Sequence, residues 1–322
     1  MGLGYKEIIP LVQDEISNTT YSGSPGELYD PMNYILQLGG KRLRPVTTLL
    51  ASQLFGSTLD RALPAAKAIE VFHNFTLVHD DIMDKAPLRR GKQTVHEKWN
   101  DNIAILSGDT LLIEVYNHFL EGEYTNLSEI LKVFNMTAIE VCEGQQLDMN
   151  FETRTDVTLA EYMNMIRLKT SVLVGGSFKI GALVAEASKE NADLIYEFGV
   201  NLGIAFQLQD DYLDCFGEPE KFGKQVGGDI ISNKKTFMML KAMELDQSGE
   251  LDVWLNNKNV DSLKKVEAVK RIYTSLKVDQ LAFQLMDEYY QKAISSLHKI
   301  NASEELKIPI LEFSEALMKR SS

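Results

Sequence analysis

Apolar residues recur at intervals of three and four along almost the whole chain, and the strict alternation of a strand is hard to find. The pattern predicts helix after helix. Asp30 followed by Pro31 reads as an N-cap and first helical position, with Gly39-Gly40 closing that helix. Thr158 and Glu161 form a capping-box pattern that opens a long helix. Turn-rich breaks fall near Tyr21 to Gly26, Glu121 to Ser128, Phe151 to Val157 and Gly217 to Gly228. None is a low-complexity linker. The expectation is an all-α bundle in one domain, residues 1–322, although the length alone leaves room for two.

Two of these helices carry chemistry. On a helical wheel of Ala68 to Asp84, Ala68, Val71, Phe75, Val78 and Ile82 fall on one stripe, as a core face should. His73, Asp80 and Asp84 fall near one line on the opposite side, and Asp81 lies about 60° from Asp84. The surrounding sequence, VFHNFTLVHDDIMD, is too apolar for a solvated acidic face. Carboxylates this close repel one another, and burying them without cations is costly. A divalent metal resolves the conflict. Mg²⁺ takes hard oxygen ligands from one or two carboxylates, phosphates and water, whereas softer metals want His or Cys. The frame DDxxD returns in GVNLGIAFQLQDDYLD, where Gln207, Asp210 and Asp214 share a face and Asp211 is adjacent. Their flanks are otherwise dissimilar, so this is no solenoid repeat.

Charge sharpens the picture. The formal net charge is -13, which argues against nucleic acid and against an anionic membrane surface. An acidic chain that handles anions must concentrate its cations. GGKRLRP (39–45) places Lys41, Arg42 and Arg44 beyond a helix end, and PLRRGK places Arg89, Arg90 and Lys92 after the first acidic motif. FGKQVGGDIISNKKT places Lys224, Lys234 and Lys235 in a Gly-rich loop after the second. Arg matches phosphate oxygens with paired donors, and Lys acts as a compact charge. The two cysteines, Cys142 and Cys215, have no metal-ligand spacing and read as buried thiols in a reducing compartment. The start, MGLGYKEIIP, lacks a basic stretch followed by an apolar core, so no secretory leader is expected. The most apolar stretch, Ser171 to Ala187, is too short and too polar to span a bilayer.

GGKRLRP, HDDIMD-KAPLRRGK, GQQLD, RLKT, QLQDDYLD and GKQVGGDI follow one another in this order, and in this the chain resembles the trans-isoprenyl diphosphate synthases, the family of farnesyl and geranylgeranyl diphosphate synthases. The resemblance covers roughly Asp30 to Thr236. It implies a single large helical bundle with a central cavity, cytoplasmic and homodimeric. It implies three Mg²⁺ ions per site, with Asp80 and Asp84 holding two and Asp210 a third, supported by Asp81, Asp148, Asp211 and Asp214. Lys41, Arg44, His73 and Arg90 would grip isopentenyl diphosphate. Arg89, Lys169, Lys224 and Lys234 would grip the allylic diphosphate (dimethylallyl, geranyl or farnesyl). Thr170 and Gln207 would line the reacting carbons, and Gln145 matches a further active-site position beside Asp148.

The residue types suit such a reaction. Diphosphate leaves carbon once its charge is neutralised, the resulting allylic cation is attacked by a double bond, and the departing diphosphate can take the proton, so no Ser-His-Asp arrangement is needed. Water would quench the cation, and the loop from Gly217 to Gly228 has the glycines for a lid. A class I terpene cyclase would lack the second DDxxD and the Lys41 and Arg44 grip; a non-catalytic subunit of a heteromeric synthase would usually have lost acids from one motif. By the resemblance, a bulky aromatic five residues before the first Asp limits elongation. Phe75 holds that position, about 7.5 Å along the helix from Asp80. Thr76 leaves more room than a second aromatic would, which favours the twenty-carbon product over the fifteen-carbon one. Helical spacing by itself makes Phe75 ordinary core.

Asp80→Ala, Asp84→Ala and Asp210→Ala are each expected to lower turnover roughly a hundredfold or more while circular dichroism shows the helical fold intact. Near-normal turnover of the purified variants at limiting Mg²⁺ would rule out the metal role.

Overall fold

The computed structural model describes residues 2–217, 227–257 and 261–319. The elements are α1 (Tyr5–Asn18), α2 (Gly26–Gln37), α3 (Leu43–Leu54), α4 (Leu59–Met83), β1 (Leu88–Arg89), β2 (Lys92–Gln93), α5 (Val95–Lys98), α6 (Asp101–Glu121), α7 (Leu127–Thr153) and α8 (Leu159–Ile166). A π-helical segment, Arg167–Ser171, leads into α9 (Val172–Val184) and α10 (Lys189–Phe216). Then come α11 (Gly228–Ile231), α12 (Phe237–Leu245), α13 (Glu250–Asn256), α14 (Ser262–Ser275), α15 (Val278–Lys299) and α16 (Glu304–Met318). The fold is all-α, as the periodicity predicts; the sheet among the described residues is the two-residue ribbon β1-β2. No helix among them is long and apolar enough to cross a membrane.

The chain groups into two compact units. One comprises Met1–Phe134, Ser177–Ile195 and Asn301–Glu312, the other Asn135–Gly176, Tyr196–Ile300 and Phe313–Ser322. In the first, α4 packs against α3 and α6, and α2 against α6. Its core contains a cluster of rings. Phe134 meets Phe72, Phe119 and Tyr116 with ring centroids 5.1, 5.2 and 5.5 Å apart, within the range of tilted and edge-on aromatic contacts. In the second unit, α8 contributes Tyr162, Met165 and Ile166, α12 Met238 and Met239, α14 Ile272 and Tyr273, and α15 Val278 and Met286 to one core.

Several boundaries differ from the sequence expectation. α2 begins at Gly26, not after Asp30, because Pro25 already occupies its N-cap. Pro31 is buried in the second turn, where its missing N–H forgoes only the bond to the Glu27 carbonyl. The C-terminal end is as read: Leu38 caps α2, and Gly39 turns the chain away with φ 78°. The capping box holds, with Thr158 accepting from the Glu161 amide and Glu161 reaching back to the Thr158 N–H. The long helix it opens is interrupted by the π segment. PLRRGK forms the β1-β2 ribbon, in which Arg89 pairs with Lys92 across a turn with Arg90 at φ 54° and Gly91 at φ 73°. Two positive φ values are the signature of a type I′ turn, whose twist matches that of the strands. Cys215 is buried as expected; Cys142 is exposed, because its place on α7 faces away from the core.

Candidate active site

In the first unit, α4 brings the acidic motif to its own C-terminal end. The helix stops at Met83 with Asp84 as C-cap. The three carboxylates therefore sit where the helix dipole is negative, an arrangement that favours nearby cations. They are not equivalent. Asp81 is 1% exposed, Asp80 is partly exposed and Asp84 is exposed. Arg89, delivered by the ribbon, grips Asp81 with Nε at 2.9 and 2.8 Å from its two oxygens and Nη2 at 2.6 Å. The same Nη2 lies 3.8 Å from Asp80. Burial would lower the pKa of Arg89, but the hydrogen bonds and charge of Asp81, with Asp80 and Asp84 adding, leave it raised.

Around His73, three turns back toward the helix interior, the cations gather. Arg44 Nη1 lies 3.2 Å from His73 Nε2. An arginine can only donate, so Nε2 accepts and the ring proton belongs on Nδ1. Burial, followed by the charges of Arg44, Arg90, Arg89 and Arg42, holds the imidazole well below its ordinary pKa, so it is neutral near pH 7. Arg90 donates to the Gly39 carbonyl. Lys41 is exposed on the same loop. Of the residues assigned to isopentenyl diphosphate from sequence, Arg44, His73 and Arg90 thus cluster at one place. Arg42 behaves differently from its neighbours: it is buried and salt-bridged to Glu70. Phe75 is buried at 9% exposure, with His79 4.8 Å and Phe72 5.7 Å from its ring. Thr76 is half-buried and donates to the His73 carbonyl at 2.8 Å.

In the second unit, the other acidic motif also lies in the last turns of a helix, α10, against the dipole. Again the middle carboxylate is the buried one: Asp211 is 5% exposed, while Asp210 and Asp214 are half-buried. Its side-chain hydrogen-bond donors among the described residues are neutral. Tyr162 donates to Asp211 from α8, and Gln207 Nε2 donates at 2.9 Å. Burial and the nearby Asp229 push Asp211 up to about 7, against the opposing pull of Lys234, Tyr162 and Gln207. Asp214 accepts from the Asp229 N–H at 2.9 Å, which docks the start of α11 on the motif. Lys234 is exposed, its N–H bonded to the Asp229 carbonyl. Lys224 and most of the expected lid, 218–226, lie outside the described residues.

RLKT is the π segment itself. π turns widen a helix by one residue and are frequent at functional sites. Here the bulge presents Lys169, whose Nζ sits 2.5 Å from Asp148, and Thr170, which donates to Gln207 at 3.0 Å. Two glycines make room for it. A Cβ on Gly144 of α7 would fall 2.2 Å from the Lys169 backbone nitrogen, and one on Gly203 of α10 would fall 2.8 Å from Ser171 Cα. Gln145 follows Gly144 and is half-buried. Sequence reasoning missed the roles of Glu70, Tyr162 and Asp229. Asp229 was visible in GGDI, but Glu70 and Tyr162 are ordinary until their partners are placed.

Among the described residues, no three His, Cys, Asp or Glu side chains already converge as a ready-made metal cage. The donor chemistry still fits Mg²⁺: hard carboxylate oxygens on Asp80, Asp84, Asp210 and Asp214, each beside a buried, anchored neighbour.

The sequence profile of the polyprenyl synthetases matches residues 25–276. The chain is 42% identical over 274 residues to a geranylgeranyl diphosphate synthase of Methanosarcina mazei, covering 83% of each. It is 38% identical over 253 residues to a geranylfarnesyl diphosphate synthase of Natronomonas pharaonis, covering 73% of this chain and 74% of the other. A crystal structure of a geranylgeranyl pyrophosphate synthase superposes with TM-score 0.95 at 46% identity over the full length of both chains. The all-α fold is that of the enzymes that join isoprenoid units. The chain belongs to the polyprenyl synthetase family and is a prenyltransferase.

Gly144→Ala is expected to displace the π bulge and lower kcat roughly a hundredfold, since an ångström of misplacement costs that much, with helical content unchanged. Cys142→Ser, two residues away on the exposed side of α7, should leave kcat as it is. Equal kinetics for the two variants would show that the bulge tolerates the methyl.

Proposed function

We propose that the chain condenses isopentenyl diphosphate with an allylic diphosphate, in the presence of Mg²⁺, to a short-chain all-trans prenyl diphosphate, with the twenty-carbon product favoured. The observation that carries this is the shared plan of the two acidic motifs. In each, the middle aspartate is buried and anchored, and the outer two are more open, at the C-terminal end of an apolar helix.

Asp80 and Asp84, with Asp210 and its supporting neighbours, would hold the Mg²⁺ ions, which neutralise the leaving diphosphate when bound. The protein's own part is charge and order. Lys169, Lys234, Lys224 and Arg89 receive the allylic diphosphate, and Lys169 exchanges Asp148 for the incoming anion. As the allylic C–O bond breaks, Thr170 Oγ and Gln207 place oxygen dipoles beside the cation. The double bond of isopentenyl diphosphate forms the new C–C bond, and the proton released from the adjacent carbon passes to the departed diphosphate. Arg44, His73, Arg90 and Lys41 hold the second diphosphate, which stays intact. A neutral His73 suits this, since it accepts from Arg44 and keeps that guanidinium in place.

A homodimer fits the surface of α6. Leu106, Ile113 and Leu120 recur every seven residues and are 58%, 61% and 65% exposed, an apolar row that water covers poorly. The free thiols suit a cytoplasmic setting. For product length, the supports are the buried Phe75, the smaller Thr76 and the likeness to geranylgeranyl synthases.

Incubation with Mg²⁺, isopentenyl diphosphate and each of dimethylallyl, geranyl and farnesyl diphosphate should give a twenty-carbon end product by mass spectrometry. Phe75→Ala should lengthen it; an unchanged product with a lower Tm would mark Phe75 as core alone. Ile113→Glu should shift the sedimentation coefficient from dimer to monomer, and a wild-type monomer would refute the pairing.

A further inference from the structure

We propose that Glu70 is a positioning residue for the isopentenyl diphosphate grip, acting through Arg42. The inference rests on the synthase reading above. Arg42 stands in the middle of GGKRLRP, where both neighbouring cations are assigned to the substrate, yet its own guanidinium points away from solvent. It is 3% exposed and Glu70 is 2% exposed. Its backbone is in the left-handed region, φ 47°, uncommon for a residue with a Cβ, and here the side-chain contacts enforce it.

The enforcement is visible. Nη1 of Arg42 donates to Glu70 at 2.5 Å, Nη2 to the Leu36 carbonyl at 2.6 Å and Nε to Gln13 at 3.2 Å. One guanidinium thereby joins α1, the end of α2, the start of α3 and the middle of α4. Glu70 supplies the single negative charge among these partners, and Asn74 Nδ2 steadies the same oxygen at 3.3 Å. Glu70 lies one helical turn before His73. The two α4 residues therefore catch alternate arginines of the loop, Glu70 taking Arg42 and His73 taking Arg44. The turn that carries Lys41 is held between those two points and the Arg90 contact at Gly39.

Without the Glu70 charge, Arg42 would be a buried, uncompensated cation next to three others, and the loop would have to move to hydrate it. Such a movement shifts Lys41 and Arg44 together. The loss should fall on the affinity for isopentenyl diphosphate and leave the allylic site untouched. A merely structural role would instead lower Tm and the active fraction without separating the two substrates.

The test is steady-state kinetics with each substrate varied, beside thermal melts. Wild-type turnover comes first; if the wild type does not consume isopentenyl diphosphate, the synthase reading itself fails. Glu70→Gln should raise the KM for isopentenyl diphosphate roughly tenfold and keep the allylic KM within about twofold. Glu70→Asp, which keeps the charge, should recover most of that affinity. The double variant Arg42→Met/Glu70→Leu replaces the pair with apolar volume and should melt near the wild type, so it carries the comparison if Glu70→Gln folds poorly. It should retain the raised KM, because it restores packing without the three guanidinium contacts. A well-folded double variant with wild-type KM for isopentenyl diphosphate, or a parallel rise in both KM values, would overturn the positioning role.

Discussion

Everything distinctive in this molecule follows from carboxylates placed at the negative ends of helices. Both acidic motifs close an otherwise apolar helix, α4 at Met83 and α10 at Phe216. Helix dipole and mutual repulsion both act against negative charges gathered there. The two motifs meet that opposition differently. Asp81 is met by a full positive charge from Arg89. Asp211 accepts from Tyr162 and Gln207, but burial, with Asp229 close by, holds its carboxyl up to about 7. The buried aspartate of the first motif is thus met by a guanidinium, and that of the second by neutral donors with the charge of Lys234 acting on it.

That asymmetry divides the basic residues into two kinds. Arg42 and Arg89 are engaged by carboxylates of the protein and order the chain around them. Lys41 and Lys234 lie at the surface, and Lys169 is in between, paired to Asp148 but part-exposed. An anion binding at Lys169 replaces one ion pair with another, so its net gain is smaller than the lysine's charge suggests. A residue count of lysines and arginines near the motifs does not separate these kinds.

The helices and both acidic motifs were legible in the sequence because they are local: a 3.6-residue period and a five-residue frame need no knowledge of distant contacts. The stripe on α4 is buried as read at Ala68, Val71, Phe75 and Val78, while Ile82 is half-buried near the helix end. What was illegible depends on partners far along the chain. The π turn at RLKT has the composition of any helix, and its space comes from Gly144 and Gly203 on other helices. Arg42 looked like its neighbours Lys41 and Arg44 until Glu70, twenty-eight positions on, claimed it. Nothing in the sequence marks Tyr162, and only its hydroxyl's contact with Asp211 separates it from core. The early start of α2 was hidden because Asp30-Pro31 is a better local signal than the Pro25 cap that the chain uses.

The ribbon β1-β2 has a consequence for how this chain can vary. Arg89 and Arg90 are consecutive, yet one serves Asp81 at the end of α4 and the other the Gly39 carbonyl beyond α2. Arg89 ends β1 and Arg90 stands in the turn at φ 54°, so adding or deleting a single residue in this stretch changes the turn that aims them. Both arginines would then miss their targets at once. The segment's length is thus pinned at two ends by unrelated contacts, and it can drift in composition far more easily than it can grow or shrink.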